Sequence, residues 1–159
     1  MTRKKIVVGV VSLTSLALVL MALPQRASSR RGPQEASDAE PIPAFHSQVP
    51  AGPLPATLSP EMFSDVVVQN AYALAARVRK VLYQQPCYCH CDRSQGHGSL
   101  LDCFVSKHGS GCDICIDEDL YAYEQTRKGK TPAQIREGII KGEWQSVDTS
   151  KYASPLSFK

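Results

Sequence analysis

All six cysteines of this 159-residue chain fall between Cys87 and Cys115, within 29 residues. Thiols scattered through an ordinary core do not cluster in this way, so the window reads as a disulfide framework or a metal site. The pattern is C-x-C-x-C, eleven residues, C, eight residues, then C-x-x-C, with His90, His97 and His108 interspersed.

The flanking sequence divides the chain into four parts. Met-Thr-Arg-Lys-Lys opens it, and Ile6 to Leu23 then run without a charge. Residues 1–23 therefore read as a signal peptide or a signal anchor, and imply a membrane partner and export. Residues 24–57 form a Pro-rich linker: Pro24 to Pro60 hold eight of the eleven prolines, with Phe45 the sole aromatic. Such a composition does not bury enough surface to offset its ordering entropy, so a disordered tether is expected. Residues 58–146 are the candidate domain, and 147–159 are expected to be a flexible tail. The net charge of +3 does not reside in the domain, where residues 61–145 carry ten Lys/Arg against eleven Asp/Glu. No basic stripe with interleaved aromatics occurs, which argues against nucleic acid as a partner.

Within the domain every periodic signal is helical. Met62, Val66, Val67, Ala71, Leu74, Ala75, Val78, Val81 and Leu82 recur on one face, after a start signal at Ser59-Pro60-Glu61 and before a stop at Pro86. Shorter helices are expected over Ser99 to Lys107 and over Cys112 to Arg127. Another begins at the capping box Thr131-Pro132-Ala133-Gln134 and ends near Gly142. The fold class is all-α: a small cysteine-rich orthogonal bundle of about four helices, behind an N-terminal hydrophobic helix and a disordered linker.

Three chemistries are open to the cysteines. As a soft-metal site, C-x-C places two thiolates within reach of one ion. Cys112 and Cys115 at a helix start gain from the helix dipole, which favours the thiolate form. Thiolates select Cu(I) or Zn(II) over hard cations; Cu(I) is the leading expectation, with Zn(II) and Hg(II) as alternatives. The expected metal ligands are Cys87, Cys89, Cys91, Cys103, Cys112, Cys115, His90 and His97, whereas His108 reads as a cap on a helix end. As a disulfide module, each of Cys87, Cys89 and Cys91 needs a partner among Cys103, Cys112 and Cys115, because cysteines two apart pair poorly. As a thiol–disulfide oxidoreductase, Cys112-Asp113-Ile114-Cys115 lacks the surrounding βαβ pattern. No Ser-His-Asp order, phosphate loop or paired-carboxylate pattern stands out, so no catalytic residue is assigned.

At Pro86-Cys87-Tyr88-Cys89-His90-Cys91 the chain resembles the PCYCGC-motif family of exported bacterial proteins and lipoproteins. The resemblance continues through Gly96-His97, Leu100, Cys103-Phe104, His108 and Cys112-Asp113-Ile114-Cys115. His90 stands where the family motif has glycine, and no lipid-attachment cysteine is present. The resemblance implies export, to the periplasm or the cell exterior, and a common cysteine site. It implies no reaction.

Overall fold

Asp65 starts the longest helix, and its carboxylate accepts the Val68 N–H at 3.0 Å. The computed structural model describes residues 40–156. The helix it caps, α1 (Val66–Leu82), begins later than the Ser59 signal suggests. Pro60–Met62 instead form one isolated 3-10 turn, followed by extended Phe63. Gln69 donates from its side chain to the Phe63 carbonyl at 2.6 Å, which holds this break in place. Pro86 lies past the end of α1, as the stop signal implies.

Four further helices follow: α2 (Cys91–Ser94), α3 (Leu100–Phe104), α4 (Asp113–Arg127) and α5 (Pro132–Ile140). The described residues are all helix and loop, with no strand. The capping box at α5 forms as its sequence signature requires: Thr131 N–H donates to Gln134 Oε1 at 2.9 Å and Gln134 N–H to Thr131 Oγ1 at 3.3 Å. The helix expected over Ser99 to Lys107 is shorter. It stops at Phe104, and His108–Gly111 wind into a separate 3-10 turn.

α1 packs mainly on α4; α3 packs on both of them, and α5 packs on α4. The core runs from Ala71, Leu74, Ala75 and Leu82 of α1 through Leu120 and Ala122 of α4 to Ile135 and Ile139 of α5. Each fully buried leucine contributes about 1.5–3 kcal/mol by leaving water. Phe63, Tyr72 and Phe104 meet in series, the first pair tilted and the second edge to face, with ring centroids 4.2 Å and 5.0 Å apart. The Tyr72 hydroxyl donates to the Ser106 carbonyl at 2.7 Å, tying α1 to the chain just after α3.

The two flanks of the helical body differ from the sequence expectation over their described parts. Residues 40–57 have no regular secondary structure, yet they make specific contacts with the body. Pro43 is buried, Ala44 N–H donates to Asp92 Oδ2 at 3.2 Å, and His46 stacks on Tyr83 at 4.0 Å. The Arg136 guanidinium lies 4.5 Å from the Phe45 ring centroid. The tail expected to be flexible is packed as far as Leu156: Tyr152 is buried, and Asn70 donates to the Tyr152 and Ser154 carbonyls at 2.7 and 2.8 Å. A single buried amide on α1 thus satisfies backbone groups that water would otherwise serve. The hydrophobic segment 1–23 and linker residues 24–39 lie outside the described residues. No helix among the described residues is long and apolar enough to cross a membrane.

Candidate metal centre

The loop after α1 is held from both sides. Leu100 N–H donates to the Gln85 carbonyl at 3.0 Å, which joins the start of α3 to the end of α1. Tyr88 N–H donates to Glu118 Oε1 on α4 at 2.9 Å. Between these anchors Cys87 to His90 form a tight turn closed by His90 N–H to the Cys87 carbonyl at 3.1 Å. His90 ends the turn in the left-handed region, φ 56° and ψ 33°, and α2 begins at the next residue. The reversal sends Cys91 back into the interior, where it is 1% exposed, beside Cys87 at 3%. Cys103 comes from α3, His108 from the 3-10 turn, and Cys112 and Cys115 from the cap and first turn of α4.

These elements place all six sulfurs in one group. Cys87 Sγ stands 3.3 Å from Cys89, 3.5 Å from Cys115 and 3.9 Å from Cys103. Cys89 and Cys115 are 3.6 Å apart, and Cys91 and Cys103 3.5 Å. A disulfide needs about 2.05 Å, so the stapled framework expected as an alternative is not formed: all six cysteines are free. Two sulfurs on one tetrahedral ion with bonds of about 2.3 Å stand about 3.8 Å apart. The observed spacings are close to that value. Two four-donor groups have every donor atom within 4.8 Å of the others: Cys89, His108, Cys112 and Cys115, and Cys91, His97, Cys103 and His108.

The histidines sort differently from the expectation. His97 joins the cluster, with Nδ1 3.4 Å from Cys103 Sγ. His108, read from sequence as a helix cap, faces it with Nε2 3.7 Å from Cys89 Sγ. The two rings lie edge to face at 5.1 Å. His90 belongs to neither donor group; its Nε2 instead lies 3.4 Å from Glu40 Oε1. The left-handed backbone carries its side chain away from the sulfurs on either side.

Sulfurs this close interfere with one another's ionisation. Donation from Cys103, then Cys115 and Cys87, holds the Cys89 thiol below the ordinary range. Cys103 is pushed up, by Cys115 first and then by Cys87. Burial raises Cys112. One thiolate is therefore favoured at the expense of its neighbours, and only nearby positive charge lets several ionise together. The α4 N-terminus supplies part of that charge. A bound cation would supply the rest, and the donor set, sulfur with imidazole, suits a soft ion.

Helix α4 buries two carboxyls, of which Glu118 adjoins the sulfurs. Burial pushes Glu118 up to about 8, so it keeps its proton at neutral pH. Asp119 is also raised, again by burial. A surface groove of about 520 Å³ runs beside Asp65, Val68, Asp113 and Asp117. It contains no sulfur or imidazole, so size does not mark the chemically distinctive place in this fold.

No curated protein and no solved structure matches the chain. A family described as proteins of unknown function with a PCYCGC motif matches residues 44–155. That span takes in the arm from Ala44, the cysteine cluster and the packed segment after α5. It includes every residue of both donor groups. The chain belongs to the PCYCGC-motif family.

Proposed function

We propose that this protein binds soft metal ions, Cu(I) foremost, outside the cytoplasm, and serves in metal handling or sensing. The observation that carries the reading is the single group of six free sulfurs and two imidazoles, with neighbouring sulfurs 3.3–3.9 Å apart. Cu(I) is favoured over Zn(II) because the donors are mostly thiolate, and Hg(II) shares the same preference. Residues 1–23 have the composition of an export signal or anchor, which would place the site in the periplasm or at the cell exterior.

The test is elemental analysis and thiol titration on one sample of the full-length chain, expressed with export and purified without chelator. A soft metal in whole-number ratio, with at least three thiols titrating after its removal, supports the reading. No metal and no free thiol overturns it in favour of a stapled structural module.

A further inference from the structure

We infer that the cluster is built for two ions rather than one, with Cys87 as the thiolate at their junction. The inference rests on the metal-binding reading above and adds the number of ions and their separate surroundings. The two four-donor groups share only His108. Its Nε2 faces Cys89, which assigns it to the group with Cys112 and Cys115. The other group then keeps Cys91, His97 and Cys103 and lacks a fourth donor.

Cys87 is placed to provide it. It lies within 4.8 Å of Cys91 and 3.9 Å from Cys103 on one side. On the other side it is 3.3 Å from Cys89 and 3.5 Å from Cys115. Eight donors thus divide into two sets of four, the number that a tetrahedral thiolate site requires. Neither Cys91 nor Cys103 shares a donor group with Cys112.

The two halves differ in surroundings. Cys87, Cys91 and Cys103 are 3%, 1% and 0% exposed, and Cys87, Cys91 and His97 line a narrow crevice together with Pro43 and Ala44. His97 is half-buried, so three of the four donors of this half are buried; in the other half Cys115 alone is buried, and Cys89, His108 and Cys112 are half-buried. The first half is an inner site and the second an outer one.

Anaerobic titration of the reduced, metal-free full-length chain with Co(II) tests this, because the intense visible d–d bands of tetrahedral Co(II) rise until every four-coordinate site is filled, while the charge-transfer bands report the thiolates bound. The expected endpoint is two Co(II) per chain. Cys112→Ser, which keeps a good helix cap on α4, and Cys103→Ser should each lower it to one. An endpoint of one in the unsubstituted chain overturns the two-ion centre and leaves the metal-binding reading standing. So does the loss of both ions from either variant with an unchanged circular dichroism spectrum. If a variant does not fold, the endpoint of the unsubstituted chain decides. Failure to bind either Co(II) or Cu(I) overturns both.

Discussion

Tyr88 donates its backbone N–H to Glu118 Oε1 at 2.9 Å, so the loop carrying three cysteines is fastened to the helix carrying Cys115. The bond is made to a buried carboxyl that burial holds protonated up to about pH 8. An amide oxygen at the same place can accept the same bond. Glu118→Gln is therefore expected to keep Cu(I) affinity within a few-fold of the parent. Glu118→Ala leaves a half-buried N–H without its partner, a penalty toward the low end of about 1–3 kcal/mol, and should weaken binding by several-fold to roughly tenfold. Competition with a chromophoric Cu(I) chelator reads both.

The same carboxyl predicts a pH dependence for the metal-free protein. Its folded pKa of about 8 lies above the ordinary 4.5. Between those values the folded chain holds a proton that the unfolded chain has released, so raising the pH favours unfolding. The contribution is fully present below about pH 4.5, declines as pH rises, and is gone above about pH 8, with a total of a few kcal/mol. Urea unfolding of the reduced, metal-free chain across this range should show falling stability. Glu118→Gln should flatten the share that Glu118 contributes, and the buried Asp119, also raised, should carry a fall of its own.

His90 occupies the position of the glycine in the family motif, at φ 56°. A left-handed residue other than glycine costs about 1–2 kcal/mol, and glycine returns about 0.4–1 kcal/mol of that through unfolded-chain entropy. His90→Gly is expected to be neutral to about 1 kcal/mol stabilising and to leave metal stoichiometry unchanged. A lost ion in that variant would restore His90 to the ligand set. His97→Ala, by contrast, should weaken binding at the inner donor group.

The cysteine cluster was legible because six thiols within 29 residues are not ordinary core packing, although the spacing left a disulfide module open beside a metal site; helix α5 was legible because a capping box and a proline act locally. The histidine roles were less visible, since they depend on backbone reversal. His90 sits between two cysteines in sequence but, at its left-handed φ, lies outside both donor groups, while the 3-10 turn brings His108 to Cys89. The available signal for His108 was its setting before Gly109 and Gly111, which permits a close turn rather than a helix end. The contacts of residues 40–57 have no periodicity to detect, because they are single backbone bonds, proline packing and isolated ring contacts. For the tail the signal was Asn70, a polar residue on the buried face of α1.

Ala44 N–H bound to Asp92 Oδ2 at 3.2 Å latches the arm over the inner sulfurs. The bond is exposed and worth about 1 kcal/mol, equivalent to a few-fold in the population of an opened arm. Asp92→Ala should accelerate alkylation of Cys87 and Cys91 in the metal-free protein by that few-fold factor. Labelling at Cys112, on the outer side, should not change. Mass spectrometry of timed samples separates the two.

Gly109 sets the approach of the turn that carries His108. A Cβ there would stand 2.9 Å from the Cys103 carbonyl oxygen and 3.3 Å from the Tyr72 hydroxyl. The first of these is backbone and does not swing aside, so the 3-10 turn must move off α3. Overpacking of this kind costs about 1–3 kcal/mol, and the movement draws the His108 ring from the outer donor group. Gly109→Ala is expected to lower Cu(I) affinity roughly tenfold, with a comparable loss of stability in the metal-free chain. Gly111, two residues on in the same turn, has nothing within 4 Å of its would-be Cβ. Gly111→Ala should therefore leave affinity and stability unchanged. Equal effects of the two substitutions would mean that the turn responds to side-chain bulk in general, and the close approach at Cys103 would lose its role in positioning His108.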